Sequence, residues 1–390
     1  MIAYNPRWLD ALHISREAKR WRAGEIISAR QYAAIKTQFT TPLYTPNLFI
    51  RVVLFFFTSI ALGGVYGMLV VVVGRAGALA FGSVIVGLAA LVALEALVKG
   101  RHLYQSGMDD ALLYAALLWS IGGVIWLYLG SAPWTRDGVV PWLLALPCLI
   151  GGAVRFADRA VTAAAYVCTL AIALTPLFDV GPAARGSLPF VAMAVAVISY
   201  ALTRRYREKE ILWPYESCLS TVGCVALATF YGAGNYLVGR RASVLLMQTV
   251  IPEGQAMPAA WLFYALTALT PVAYIVAGLV VRDHLLLRAG LIAAVLSVLT
   301  VAYDLQIWRP EVTLTGAGVA LFLIAVGSTA HVKTRRDGYT AKRLLEEALK
   351  GLDAEALAVA QTLGGSPQPG EKGFEGGGGK FGGGGTSEKW

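Results

Sequence analysis

The chain of 390 residues is 57% hydrophobic and 15% charged, with a mean hydropathy of +0.61. That balance excludes an ordinary soluble domain, which carries about 25% charged residues, and a disordered chain, which is poor in apolar ones. The net charge of +9 fits basic loops on one side of a membrane better than a nucleic-acid-binding face.

The first 49 residues read as a small helical hairpin and connector on the cytoplasmic side. Asn5 before Pro6 suits an N-cap with proline at the first helical position. Trp8, Leu9, Leu12, Ala18 and Trp21 then share an apolar face, which Gly24 ends. Ser28 and Gln31 form a capping box that opens a second helix to about Phe39. Thr41-Pro42 and Thr45-Pro46 make an extended connector. No short apolar core with a cleavage site precedes residue 48, so the first span is expected to act as the insertion signal.

Ten apolar stretches follow between residues 50 and 330, at 52–73, 76–97, 111–129, 139–154, 160–178, 188–202, 218–238, 259–281, 285–303 and 312–330. A hydrocarbon core of about 30 Å needs about 20 apolar residues in helix, and its dryness demands a self-satisfied backbone. The fold class is therefore all-α: a polytopic transmembrane helical bundle of about ten spans. The fourth and sixth stretches are short and the ninth contains Arg288, placed to snorkel. With Arg288 counted to the turn beside it, 27 of the 33 Lys and Arg fall in alternate polar segments that include both ends of the chain, and 6 in the others. That asymmetry predicts both termini in the cytoplasm. An amphipathic helix at 331–363, with a stripe of Leu344, Leu345, Ala348, Leu349 and Leu352, precedes a glycine-rich tail at 364–390, predicted to be disordered. This helix or tail is the candidate contact for a protein partner. The lipid bilayer is the expected surrounding, and no nucleic acid, cofactor or metal is expected.

Candidate chemistry gathers at the cytoplasmic turns. An acid stands beside each outward-going helix: Asp109 and Asp110, Asp158, Glu216 and Asp283. A carboxylate is stabilised there by the helix dipole and free amides, so capping is the plain reading. A binding site would need Asp109, Asp110, Arg155, Asp158 and Arg159 to converge. The recurring pattern suggests stacked two-helix hairpins. Glu95 sits near the end of the second span with Lys99 four residues on, the spacing of a helical ion pair. Tyr231, Asn235 and Tyr236 cluster late in the seventh span beside Gly232 and Gly234, suiting close packing or an outer ligand contact. The span centres hold no Asp, Glu, Lys, Arg or His, while Pro147 and Pro271 predict kinks. Cys148, Cys168, Cys218 and Cys224 lack CxxC spacing and read as small buried hydrophobes. His13, His102, His284 and His331 are scattered, and no HExxH, GxSxG or phosphate-loop signature occurs.

The segment KRWRAGEIISARQYAAI, through Trp21, Gly24 and Ile26 to Ser28, resembles the start of a family of bacterial multi-pass membrane proteins defined as a domain of unknown function. SGMDDALLY and YGAGNYLV resemble stretches in related membrane proteins, and the tail is similar to glycine-run, aromatic, glycine-run endings closing in Trp. The resemblance implies a bacterial inner membrane and no established activity. With the missing midplane charges, it leads to a non-catalytic scaffold, accessory subunit or sensor as the expected function. Small-solute or ion transport is the alternative, and a membrane-embedded enzyme the third.

Overall fold

The structure, a computed structural model, describes residues 2–24, 26–74, 76–130, 138–207, 209–247 and 259–304, with 315 and 318. The tenth apolar stretch, the 331–363 helix and the tail lie outside the described residues. Within them the chain is helical throughout, apart from turns and one isolated parallel bridge between Tyr44 and Leu103.

Helix α1 (Pro6–Ala23) begins where the Asn5 side chain accepts the amide of Arg7, with proline at its first position. Helix α2 (Ala29–Gln38) carries the Ser28–Gln31 capping box in full. The spans follow as α3 (Leu48–Val73), α4 (Ala76–Arg101), α5 (Met108–Leu129), α6 (Val140–Phe156) and α7 (Arg159–Leu174). Two short helices, α8 (Pro176–Val180) and α9 (Pro182–Gly186), lead into α10 (Leu188–Arg207). A 3₁₀ turn at Glu210–Tyr215 precedes α11 (Glu216–Gly234), α12 (Tyr236–Met247), α13 (Ala260–Val281) and α14 (His284–Asp304). Among the described residues eight helical runs are long and apolar enough to cross a membrane, α7 counting with α8 as one run to Val180, and α6, at 17 residues, is a shorter apolar helix.

Two spans differ from their apolar stretches. The sixth span is longer than its apolar stretch, because α10 carries its helical ladder on through Arg204, Arg205 and Arg207. The seventh breaks: α11 stops at Gly234, Asn235 is extended (φ −76°, ψ 130°), and α12 restarts at Tyr236. Of the four cysteines, Cys168 and Cys218 are buried as expected, whereas Cys148 and Cys224 are exposed on the bundle surface.

The closest helix pairs are α4 with α5, α10 with α11, α13 with α14 and α6 with α7. These are consecutive antiparallel hairpins, the pairing that the repeated acids suggested. Their turns lie at one end of the bundle. Arg51 at the start of α3 reaches Asp110 at the start of α5, the Tyr215 hydroxyl reaches the Val154 carbonyl at 2.7 Å, and Arg207 reaches Asp283. Glycine lets α4 and α5 touch: a Cβ on Gly87 would lie 2.3 Å from the Ser120 hydroxyl and 2.7 Å from its amide nitrogen.

Helix α1 is docked on that end. The amide of Ala3 donates to the Arg155 carbonyl at 2.7 Å, and Tyr4 stands edge-on to Tyr104 with ring centres 4.9 Å apart. Trp8 meets His102 and His13 meets Trp213 at 4.7 and 5.0 Å. Tyr4 and Leu9 belong to one buried cluster with Leu94, Val98, Leu112 and Phe156. Ala18 is fully buried, while Trp21 is exposed and falls outside the apolar face read from the sequence.

Candidate functional site: a polar cavity at the turn end of the bundle

The loop from α4 to α5 turns sharply through His102 and Gln105, both at φ 52°, and Gly107 at φ 89°. A Cβ on Gly107 would fall 2.0 Å from the Arg51 carbonyl oxygen, so only glycine lets α3 and α5 meet there. Just beyond, the amide and hydroxyl of Ser106 both donate to Asp109 Oδ1, at 2.8 and 2.9 Å. Asp109 is 4% exposed. Its neighbour Asp110 accepts a fork from Arg51, Nε at 3.0 Å and Nη2 at 2.7 Å.

The turn from α6 to α7 is two residues long. Ala157 takes the left-handed conformation (φ 50°, ψ 40°) and Asp158 caps α7, accepting the Val161 amide at 2.8 Å on Oδ1. Its other oxygen accepts the Tyr114 hydroxyl at 3.2 Å. The two turns and the docked N-terminal segment enclose a cavity of about 270 Å³. Tyr4, Arg51, Gln105, Asp109, Asp110, Tyr114, Asp158 and Arg159 give its polar walls, and Leu94, Leu113 and Phe156 its apolar ones. Burial raises the Tyr4 phenol above its ordinary range, and Asp109 reinforces the shift. Tyr4 therefore enters the site as a neutral hydrogen-bond donor.

Asp109, Asp110, Asp158 and Arg159 are thus brought together as a binding site would require. Glu95 and Arg155 stand beside the cavity, joined by a fork of 2.8 and 2.9 Å. Lys99 completes the pair predicted with Glu95, at 3.1 Å. Asn235 lies elsewhere. Its Oδ1 caps α12 through the amides of Leu237 and Val238, at 3.0 and 3.3 Å. Its amide nitrogen donates to the Tyr231 hydroxyl at 3.0 Å and Thr300 Oγ1 at 2.9 Å. Tyr231 also meets Ser297 at 3.0 Å, and Ser297 donates to the Thr267 carbonyl at 2.6 Å. Asn235 and Thr267 are 3% and 1% exposed. Every polar group of Asn235 is used, so the residue holds a helix break within a packed interior.

Sequence reasoning missed Tyr4, Arg51, Gln105 and Tyr114. Arg51 and Tyr114 each lie within two turns of a span's end, but nothing local in the sequence points to their partners on other spans. The turn from α13 to α14 repeats the theme. Asp283 accepts the Tyr200 hydroxyl at 2.6 Å and the Leu285 amide at 2.8 Å, with Arg207 at 3.4 Å. Among the described residues no three His, Cys, Asp or Glu side chains gather as metal ligands would. No known protein family, curated protein or solved structure matches the chain.

Proposed function

We propose that this membrane protein is a non-catalytic component of a bacterial inner membrane, a scaffold, accessory subunit or sensor, with both termini in the cytoplasm. The supporting observation is how the acids are used. Asp110, Asp158, Glu95 and Asp283 each tie one helix to another or cap a helix start, so their charges serve the architecture. The bacterial inner membrane is carried over from the resemblance of the N-terminal segment, and the orientation from the Lys/Arg asymmetry.

Asp158 tests the reading. Asp158→Asn keeps an acceptor for the Val161 amide and should cost about 1 kcal/mol or less, whereas Asp158→Ala should cost on the order of 0.5–2 kcal/mol in a detergent melt. A cell-based phenotype should follow the same order. Equal loss of phenotype in both variants with unchanged melting would mean that the charge itself is used, and would overturn the proposal.

Small-solute transport is the second reading, favoured by the break at Asn235. Discontinuous helices line the substrate sites of many transporters. An uptake defect in Asn235→Asp, with the fold intact, would support it.

A further inference from the structure

A second cavity adjoins the polar one. Between α5, α6 and α7 lies an apolar crevice of about 450 Å³, floored by small residues such as Gly122, Ala145 and Ala164. Tyr114 and Ala160 line both chambers. Along α5 the crevice runs from Tyr114 to Ile125, about 16 Å at 1.5 Å per residue. Half of a hydrocarbon core of about 30 Å is nearly the same length. Leu118, 70% exposed, stands on its rim toward the lipid.

The polar chamber also has unused capacity. Both Ser106 bonds to Asp109 and both Arg51 bonds to Asp110 fall on one oxygen of each carboxylate. Asp109 Oδ2 and Asp110 Oδ1 accept no hydrogen bond from the described residues. Neither oxygen is walled off from the chamber, so a bound donor can reach both. Three carboxylates face two guanidiniums across the chamber, leaving one negative charge. Arg159 is exposed at its edge, with no ion pair among the described residues.

The geometry points to a binding site for one phospholipid with a primary-ammonium headgroup. The ammonium donates to Asp109 and Asp110 inside the chamber, the phosphate faces Arg159 at its edge, and one acyl chain fills the crevice. The ammonium reduces the excess of carboxylates over Arg51 inside the chamber, the phosphate is matched by Arg159 at the edge, and the ammonium N–H groups fill the open acceptors. A choline head carries the charge without an N–H donor, and a glycerol head carries no cation.

The full chain in detergent micelles supplies the test, with the melting midpoint followed as lipid is added. Phosphatidylethanolamine, phosphatidylcholine and phosphatidylglycerol with the same acyl chains are compared with soluble phosphoethanolamine. Phosphatidylethanolamine should raise the midpoint with a half-saturating concentration at least tenfold below those of the other two lipids. Phosphoethanolamine alone should do nothing at that concentration. Asp109→Asn and Arg159→Gln should each weaken the response severalfold. Gly122→Leu should abolish it without lowering the lipid-free midpoint, because a Cβ there meets nothing within 4 Å and leucine suits a helix better than glycine. If Asp109→Asn fails to fold, Gly122→Leu and Arg159→Gln decide. Equal responses to the three lipids would leave only the annular solvent and overturn the site, as would a response that survives Gly122→Leu. Saturation by phosphoethanolamine would assign the chamber to a free phosphate ester. A lower lipid-free midpoint in Gly122→Leu would mean that protein already fills the crevice. Either result overturns the lipid assignment.

Discussion

Asp283 shows how a single carboxylate at a helix turn becomes a pH-dependent brace. Burial pushes its carboxyl upward, but the Tyr200 hydroxyl, the Leu285 amide and Arg207 outweigh that and hold it below the usual carboxylate range. A depressed folded value means that the ionised form stabilises the fold. That stability is fully present above the unfolded value of about 3.9 and is lost as pH falls through the folded one. Melting curves of the native chain and Asp283→Asn should differ by a constant amount above about pH 5, and the gap should close toward pH 3. A gap that stays constant to pH 3 would place the contribution of Asp283 elsewhere. Asp158 and Asp283 were legible as capping acids, because a carboxylate beside an apolar run obeys a local rule. Helices α5 and α11, by contrast, begin at Gly107 and Tyr215 with no side-chain cap from Asp109, Asp110 or Glu216. Arg51 and Tyr114 were not legible, because their partners lie 59 and 44 residues away and no local rule spans that distance.

Among the elements, the tight turn between α6 and α7 carries the clearest strain. A residue with a Cβ in the left-handed region costs about 1–2 kcal/mol relative to glycine, and Ala157 sits there at φ 50°. Ala157→Gly should therefore stabilise the chain by up to about 1 kcal/mol, less whatever freedom glycine adds to the unfolded state. A chemical-denaturation midpoint measures it, and a clear loss of stability would show that the Ala157 methyl group packs in the cavity wall. Span positions were readable because about 20 apolar residues is a strong and nearly unique signal. The break at Asn235 was not. Its signature, an asparagine after two glycines, also fits close helix packing. What separates the two is whether Thr267, Ser297 and Thr300 arrive from α13 and α14 to satisfy the freed backbone and side-chain groups.

At the level of the whole molecule, the N-terminal segment is part of the bundle and not a tether. Leu9, 3% exposed, is packed into the same cluster as residues of α4, α5 and α6. Leu9→Ala should cost about 2–4 kcal/mol, read as a lower melting midpoint in detergent. A shift near zero would show that α1 is free in solution. The positive charge of the turn end, with Arg51, Lys99, Arg155, Arg159 and Arg207 together, leads to an orientation experiment. A fluorescent protein fused after residue 390 should glow and alkaline phosphatase there should stay inactive. The opposite outcome would reverse the assigned topology. The docking of α1 was illegible for a simple reason: an amphipathic face announces that something covers it, but not what.

The ties across the turn end skip a helix. Arg51 of α3 waits for Asp110 of α5, Glu95 of α4 waits for Arg155 of α6, and the amide of Ala3 waits for the carbonyl of Arg155. A ribosome delivers these partners in order, so each contact closes only after the next hairpin has entered the bilayer. The N-terminal segment, first to leave the ribosome, is therefore seated only once α6, the fourth span, has been made. Until α6 has been made, Glu95 lacks its Arg155 partner. Synthesis, in this protein, runs ahead of assembly by one hairpin.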